Sequence, residues 1–118
     1  MGCLSMPITY ITNSTQFNEI LTDSDLVVVG FWAVWCGPCK LINPTFENMS
    51  NKEENSEIVF CKMDVDEVPD VAEKAGIRAM PTFQSYLRGE KKGELLGADP
   101  AKLKRLVQEA KASAGAEY

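Results

Sequence analysis

The apolar run Leu26–Ala33 and the hexapeptide that follows it constrain the fold more than any other part of this chain. Leu26-Val27-Val28-Val29-Gly30-Phe31-Trp32-Ala33 is apolar on both faces, the pattern of a central strand covered by helices on its two sides. It leads into Trp35-Cys36-Gly37-Pro38-Cys39-Lys40, and the segment from Gly37 to about Ser50 reads as a helix. Pro38 fits a first turn, where a residue has no intrahelical N–H bond to lose. Two cysteines at i and i+3 of a helix start share a face and can close a disulfide. The unpaired N–H groups and partial positive charge of that helix end stabilise a thiolate. A pair placed in this way is suited to exchanging electrons rather than only stapling a fold.

The other elements arrange themselves around this strand. Ile8-Thr9-Tyr10-Ile11 alternates with period two and predicts a first strand. Asn13, Ser14 or Thr15 can cap a short helix bearing Phe17, Ile20 and Leu21 on one face. Pro44 falls inside the helix that carries the cysteines and should kink it. A second internal strand is expected over Ile58–Asp64, a short helix over Val68–Ala75 capped by Gly76, and a strand over Thr82–Leu87. Arg88 to Gly93 should turn the chain into a short edge strand, Glu94-Leu95-Leu96. Asp99 and Pro100 should open a last helix whose apolar face is Leu103, Leu106, Val107 and Ala110. The order is β-α-β-α-β-α-β-β-α. A leader is expected at residues 1–6, one domain at 7–111 and a frayed tail at 112–118.

Composition narrows the partners. A chain of 118 residues supports one compact core. Its net charge of −5, with no basic cluster longer than Lys91-Lys92, argues against nucleic acid and anionic membrane. No apolar run approaches the ~20 residues that span a bilayer. The start of the chain has neither a basic segment nor a long apolar stretch, so no secretory signal is read there. Met6 stands where the myristoylation pattern wants Ser or Thr, so Gly2 is not expected to be acylated. Four cysteines without a regular framework fit a reducing, intracellular compartment, and the cytosol is the expected location. With no histidine and no second C-x-x-C, a zinc site lacks ligands, and no bound metal is expected.

With its C-x-x-C box beside a βαβ pattern, the chain resembles the thioredoxin family over about residues 6–111. Further matching residues are Pro44, Lys62 with Asp64-Val65-Asp66, Gly76-Ile77-Arg78-Ala79-Met80-Pro81-Thr82-Phe83, and Gly97. The resemblance implies an α/β thioredoxin fold: a mixed five-stranded sheet of strand order 1-3-2-4-5 flanked by four helices. It implies a protein-disulfide reductase without a bound cofactor, acting on disulfide-containing client proteins and most simply as a monomer. Its oxidised form would be recharged by thioredoxin reductase, an NADPH-dependent flavoprotein. In that scheme Cys36 attacks and the more buried Cys39 resolves. Gly37 and Pro38 bias the pair toward the reducing side, because neither adds the positive charge that would favour a stronger oxidant. The resemblance also implies a cis Met80–Pro81 bond beside the site, and a client-contact surface of Trp35, Val65, Ala79, Met80, Pro81 and Ala98. Asp66 is expected to accept a hydrogen bond from the Trp35 indole.

Gly30 departs from the family pattern, which has a buried Asp there beside the Lys at the position of Lys62. Without that carboxylate, Cys39 loses its nearest base, and its proton would pass to water or Lys62. An uncompensated Lys62 amine would have a lowered pKa or reach out to solvent. On the sequence alone, Gly30→Asp is expected to speed turnover. The competing reading is a binding module of the same fold whose redox cycling is weak. Cys61, in an internal strand, reads as an inert buried thiol, and Cys3 lies in the leader.

Overall fold

The computed structural model describes residues 8–116; the expected leader, with Gly2 and Cys3, and the last two residues lie outside that range. The elements in chain order are β1 (Ile8–Ile11), α1 (Ser14–Asp23), β2 (Leu26–Trp32), α2 (Gly37–Asn51), a 3-10 turn (Glu53–Asn55), β3 (Ile58–Asp64), α3 (Pro69–Lys74), β4 (Thr82–Leu87), β5 (Glu90–Leu96) and α4 (Pro100–Ala116). The five strands form one mixed sheet in the order β1-β3-β2-β4-β5. β2 lies at its centre, parallel to β3 from Leu26↔Ile58 to Trp32↔Asp64 and antiparallel to β4 from Leu26↔Leu87 to Phe31↔Thr82.

Alternation along β2 divides the core. Leu26 and Val28 join Ile42 and Phe46 of α2 and Leu103, Leu106 and Val107 of α4 in one cluster. Val27, Val29 and Phe31 join Phe17 of α1, Val68 just before α3 and Val71 of α3 in the other. A strand with an apolar partner on each face has no polar side, so its sequence shows no alternation. The helix ends follow the local chemistry. Asn13 caps α1 by accepting from the Gln16 N–H at 2.8 Å, and Asp99 accepts from the N–H groups of Ala101 and Lys102. Gly76, just beyond α3, takes the left-handed conformation (φ 75°) that a C-terminal cap requires.

Two expectations need correction. The turn before β5 is only Arg88-Gly89, both at positive φ, and β5 begins at Glu90. Such a two-residue turn matches the sheet's twist. The charged run Glu90–Lys92 is therefore edge strand facing solvent, where charge discourages pairing with another chain. The tail expected to fray from Ala112 instead continues α4 to Ala116. Alanine is the strongest helix former, and Ala114 packs against the core.

Cys61 sits inside β3 among Ile11, Val29 and Phe31, fully buried, and burial pushes its thiol up to about 12. A raised folded pKa adds stability that is complete below the unfolded value of 9.0 and is lost as pH rises toward the folded one. At about pH 10.5 the loss amounts to about 2 kcal/mol. Cys61→Ala should therefore be less stable than the parent at pH 7, yet lose about 2 kcal/mol less between pH 7 and about 10.5. Urea titrations of both proteins at the two pH values measure this, and equal losses would refute it.

Candidate active site at the start of α2

Cys36 and Cys39 are joined as a disulfide with Cα atoms 5.4 Å apart. Cys36 is the N-cap residue of α2, and its sulfur accepts the Cys39 backbone N–H at 3.2 Å. Pro38 lies in the first turn, as its ring requires. This geometry stabilises a Cys36 thiolate when the bridge opens, since a free helix-start N–H points at that sulfur and the helix charge adds to it. Cys36 is 4% exposed and Cys39 is fully buried, so the first sulfur has the greater access. Gly37 has open space where a Cβ would project.

The ends of three strands gather around the pair. The Met80–Pro81 peptide is cis, and Met80 packs against the cluster formed by Ala33, Cys36 and Cys39, as do Trp32 and Val65. Pro81 is buried, and its carbonyl accepts the Gly97 N–H at 2.9 Å. Trp35 is 65% exposed, and its indole N–H donates to Asp66 at 2.9 Å, the bond expected from the sequence. Ala79 is exposed, Met80 and Val65 half-buried. Ala98, also half-buried, packs against the α2–α4 core cluster. Val34 and Leu41, 58% and 80% exposed, flank the cysteine box as bare apolar side chains that the sequence reading did not single out. For Leu41 the signal was its place off the Cys39, Ile42, Phe46 and Met49 stripe that α2 buries.

Lys62 is 5% exposed, and among the described residues it forms no ion pair within 4.0 Å. Its amine lies 4.7 Å from the centre of the Trp32 ring and 5.6 Å from that of Tyr10. Two aromatic faces thus take the place of a counter-ion. Burial lowers the pKa of the amine, and the Glu47 charge partly restores it. Among the described residues, no three His, Cys, Asp or Glu side chains come together to hold a metal ion.

The comparisons with known proteins agree with this geometry. The thioredoxin family model matches residues 8–109. The chain belongs to the thioredoxin family. A thioredoxin of Coprinus comatus is 49% identical over 98 residues, covering 83% of this chain and 92% of that one. Human thioredoxin is 44% identical over 101 residues, covering 84% and 94%. The crystal structure of Malassezia sympodialis thioredoxin superposes with a TM-score of 0.83 at 41% identity, covering 87% and 90% of the two chains. The chain is accordingly a protein-disulfide oxidoreductase of the thioredoxin type, working by dithiol–disulfide exchange through the Cys36–Cys39 pair.

The structure changes one expectation about Gly30. A Cβ at Gly30 would lie 2.9 and 3.2 Å from two carbons of the Phe83 ring, and 3.8 Å from Phe46. The first carbon of any side chain there would press on an aromatic ring from the neighbouring strand. Gly30→Asp should therefore not simply speed turnover. It should lower stability by about 1–3 kcal/mol through overpacking alone. Phe83→Leu should relieve that cost when the two changes are combined. A double-mutant cycle in urea tests this, and a coupling below about 0.5 kcal/mol would show that the two sites are independent.

Proposed function

We propose that this thioredoxin is a general reductase of protein disulfides in which Cys36 attacks and Cys39 resolves. The observation that carries this reading is the Cys39 N–H aimed at the Cys36 sulfur in the first turn of α2. The Cys36 thiolate attacks one sulfur of a client disulfide, and the other client sulfur leaves with the bonding pair. Cys39, deprotonated, then attacks Cys36. The Cys36–client bond breaks, the client leaves fully reduced, and the protein is left as the Cys36–Cys39 disulfide.

The surface around the sulfurs suits flexible clients of varied sequence. Trp35, Val65, Ala79, Met80, Pro81 and Ala98 offer apolar contact, and Ala79-Met80 is a stretch of main chain along which an extended client segment can add as a strand. The client is held by backbone bonds and loose apolar contact, so selection falls on the presence of an accessible disulfide. No bound cofactor is needed, because the electrons reside in the thiols. NADPH supplies them through thioredoxin reductase. A cytosolic setting and a monomeric state complete the reading. Among the described residues no helix is long and apolar enough to cross a membrane.

The test is NADPH oxidation coupled through a thioredoxin reductase to insulin reduction. Turnover should be robust in the parent and lost in Cys36→Ser, whereas Cys39→Ser should accumulate the mixed disulfide with insulin. A parent protein that forms its own disulfide but reduces no insulin would favour the binding-module reading.

A further inference from the structure

The segment that runs from α3 to Pro81 is fastened to β4 by side chains rather than by strand pairing. Thr82 and Gln84 lie two residues apart on one face of β4, and both are fully buried. The Thr82 hydroxyl donates to the Ala79 carbonyl at 2.6 Å. The Gln84 amide donates to the carbonyl of Ala75, where α3 ends, at 3.2 Å. The segment is therefore tied back to the same strand near both its ends. Its main-chain groups have few other partners. The Ile77 N–H goes to the Ala72 carbonyl, and the Pro81 carbonyl accepts from Gly97. Among the described residues the Met80 N–H and carbonyl have no partner in the protein. They belong to a residue that packs against the cluster holding Cys36 and Cys39. The Ala79–Met80 peptide is trans, and in a trans peptide the carbonyl and the following N–H point in opposite directions. Thr82 draws the Ala79 carbonyl inward, so the Met80 N–H of the same plane faces out.

We propose that Thr82 is a positioning residue that aims the Met80 N–H at the main chain of an extended client, and so favours polypeptide disulfides over small organic ones. The proposal rests on the reductase reading above and names the side chain that prepares its strand-adding edge. In an antiparallel pair one residue exchanges both its N–H and its carbonyl with the residue opposite. Met80 offers both, so one client residue beside the disulfide can dock there while its sulfur meets Cys36. Ala79, with its carbonyl turned inward, cannot serve in the same way, and the client is held in a single register. The hydroxyl fixes one peptide plane. Without it the Ala79 carbonyl loses its donor and gains by turning toward water, and the Met80 N–H turns with it. The exchange steps at Cys36 and Cys39 stay as they are. A small disulfide with no peptide group makes no use of the Met80 N–H, and it reacts with Cys36 alike with or without the hydroxyl.

The test uses full-length protein carrying Cys3→Ser. It compares Thr82→Val, which keeps the branched shape and loses the hydroxyl, with Thr82→Ser, which keeps the hydroxyl. With thioredoxin reductase in excess, Thr82→Val should raise KM for insulin about three- to tenfold, as the loss of one hydrogen bond does, and leave kcat within about twofold. Its Cys36 should react at the parent's rate with dithiobis(nitrobenzoate), which has no peptide group. Thr82→Ser should stay near the parent in both assays. An unchanged KM in Thr82→Val overturns the proposal. So does an equal slowing with dithiobis(nitrobenzoate), the mark of a general loss of site geometry, or a Thr82→Ser KM as high as that of Thr82→Val. A second readout needs no turnover. In Cys39→Ser protein joined through Cys36 to a cysteine-containing peptide, the Met80 amide should exchange with deuterium more slowly than in the free protein. Adding Thr82→Val should abolish that slowing. Should Thr82→Val not fold, the protein with Thr82 in place still decides: a Met80 amide that the peptide does not slow overturns the proposal. A parent that reduces no insulin, yet shows the slowing and its loss in Thr82→Val, counts against the reductase reading and leaves the role of Thr82 intact.

Discussion

The pairing of β2 on both its edges is the constraint on which the rest of the molecule depends. Because β2 runs parallel to β3, the ends of the two strands fall together, which brings Asp64, Val65 and Asp66 beside the start of α2. Because β2 runs antiparallel to β4, the start of β4 falls at the same place, and Phe31↔Thr82 sets Pro81 just beyond the ladder there. β5, antiparallel to β4, returns its own end to that corner and places Gly97 within reach of the Pro81 carbonyl. One strand therefore collects the cysteines, the proline and the apolar contact surface at one end of the sheet. Slipping β2 by one residue would exchange Val28 with Val27 between the two core clusters and move Gly30 away from Phe83. The site and the core are specified by the same register.

That register also gives the cysteines opposite chemistries. Cys36 ends a loop at a helix start, where an N–H and a helix charge favour the thiolate. Cys61 sits in a strand interior among apolar side chains, and burial holds it as a thiol. It belongs to the α1–α3 side of the sheet, whereas α2 covers the other side, so the sheet itself separates it from the redox pair. The chain can thus carry an extra cysteine in its core without diverting the exchange. Burial and helix position, rather than the element cysteine, decide which sulfur reacts.

Much of this was legible in the sequence because it depends on local or strongly patterned signals. The doubly apolar β2, the caps at Asn13 and Asp99, and the cysteines at the start of α2 each follow from neighbours along the chain. The edges of elements were less legible. A run of charges at Glu90–Lys92 resembles a turn until its strand is known to lie at the edge of the sheet, and an alanine-rich end resembles a frayed tail until Ala114 is seen against the core. The site residues contributed by pairing were the hardest to read. No spacing along the chain tells that Phe83 will fill the room beside Gly30, because the two meet only through the β2–β4 register. Nor does it tell that Lys62 will find Tyr10 and Trp32, which reach it from strands on either side.

Gly30 and Phe83 are best understood as one feature. A carboxylate at this position would be buried against an apolar core, which is costly unless a partner shares the charge. An aromatic ring pressed against a glycine gives dispersion contact instead, and Phe83 extends it to Phe46, whose ring centre is 5.3 Å away. With Gly30 there, this part of the core is held by apolar contact rather than by a buried acid. Next to Gly30 on the same face stands the buried Lys62. Burial makes its amine easier to deprotonate, and the Glu47 charge opposes this. At this point of β2 the sheet face carries apolar contact at Gly30 and a buried amine at Lys62.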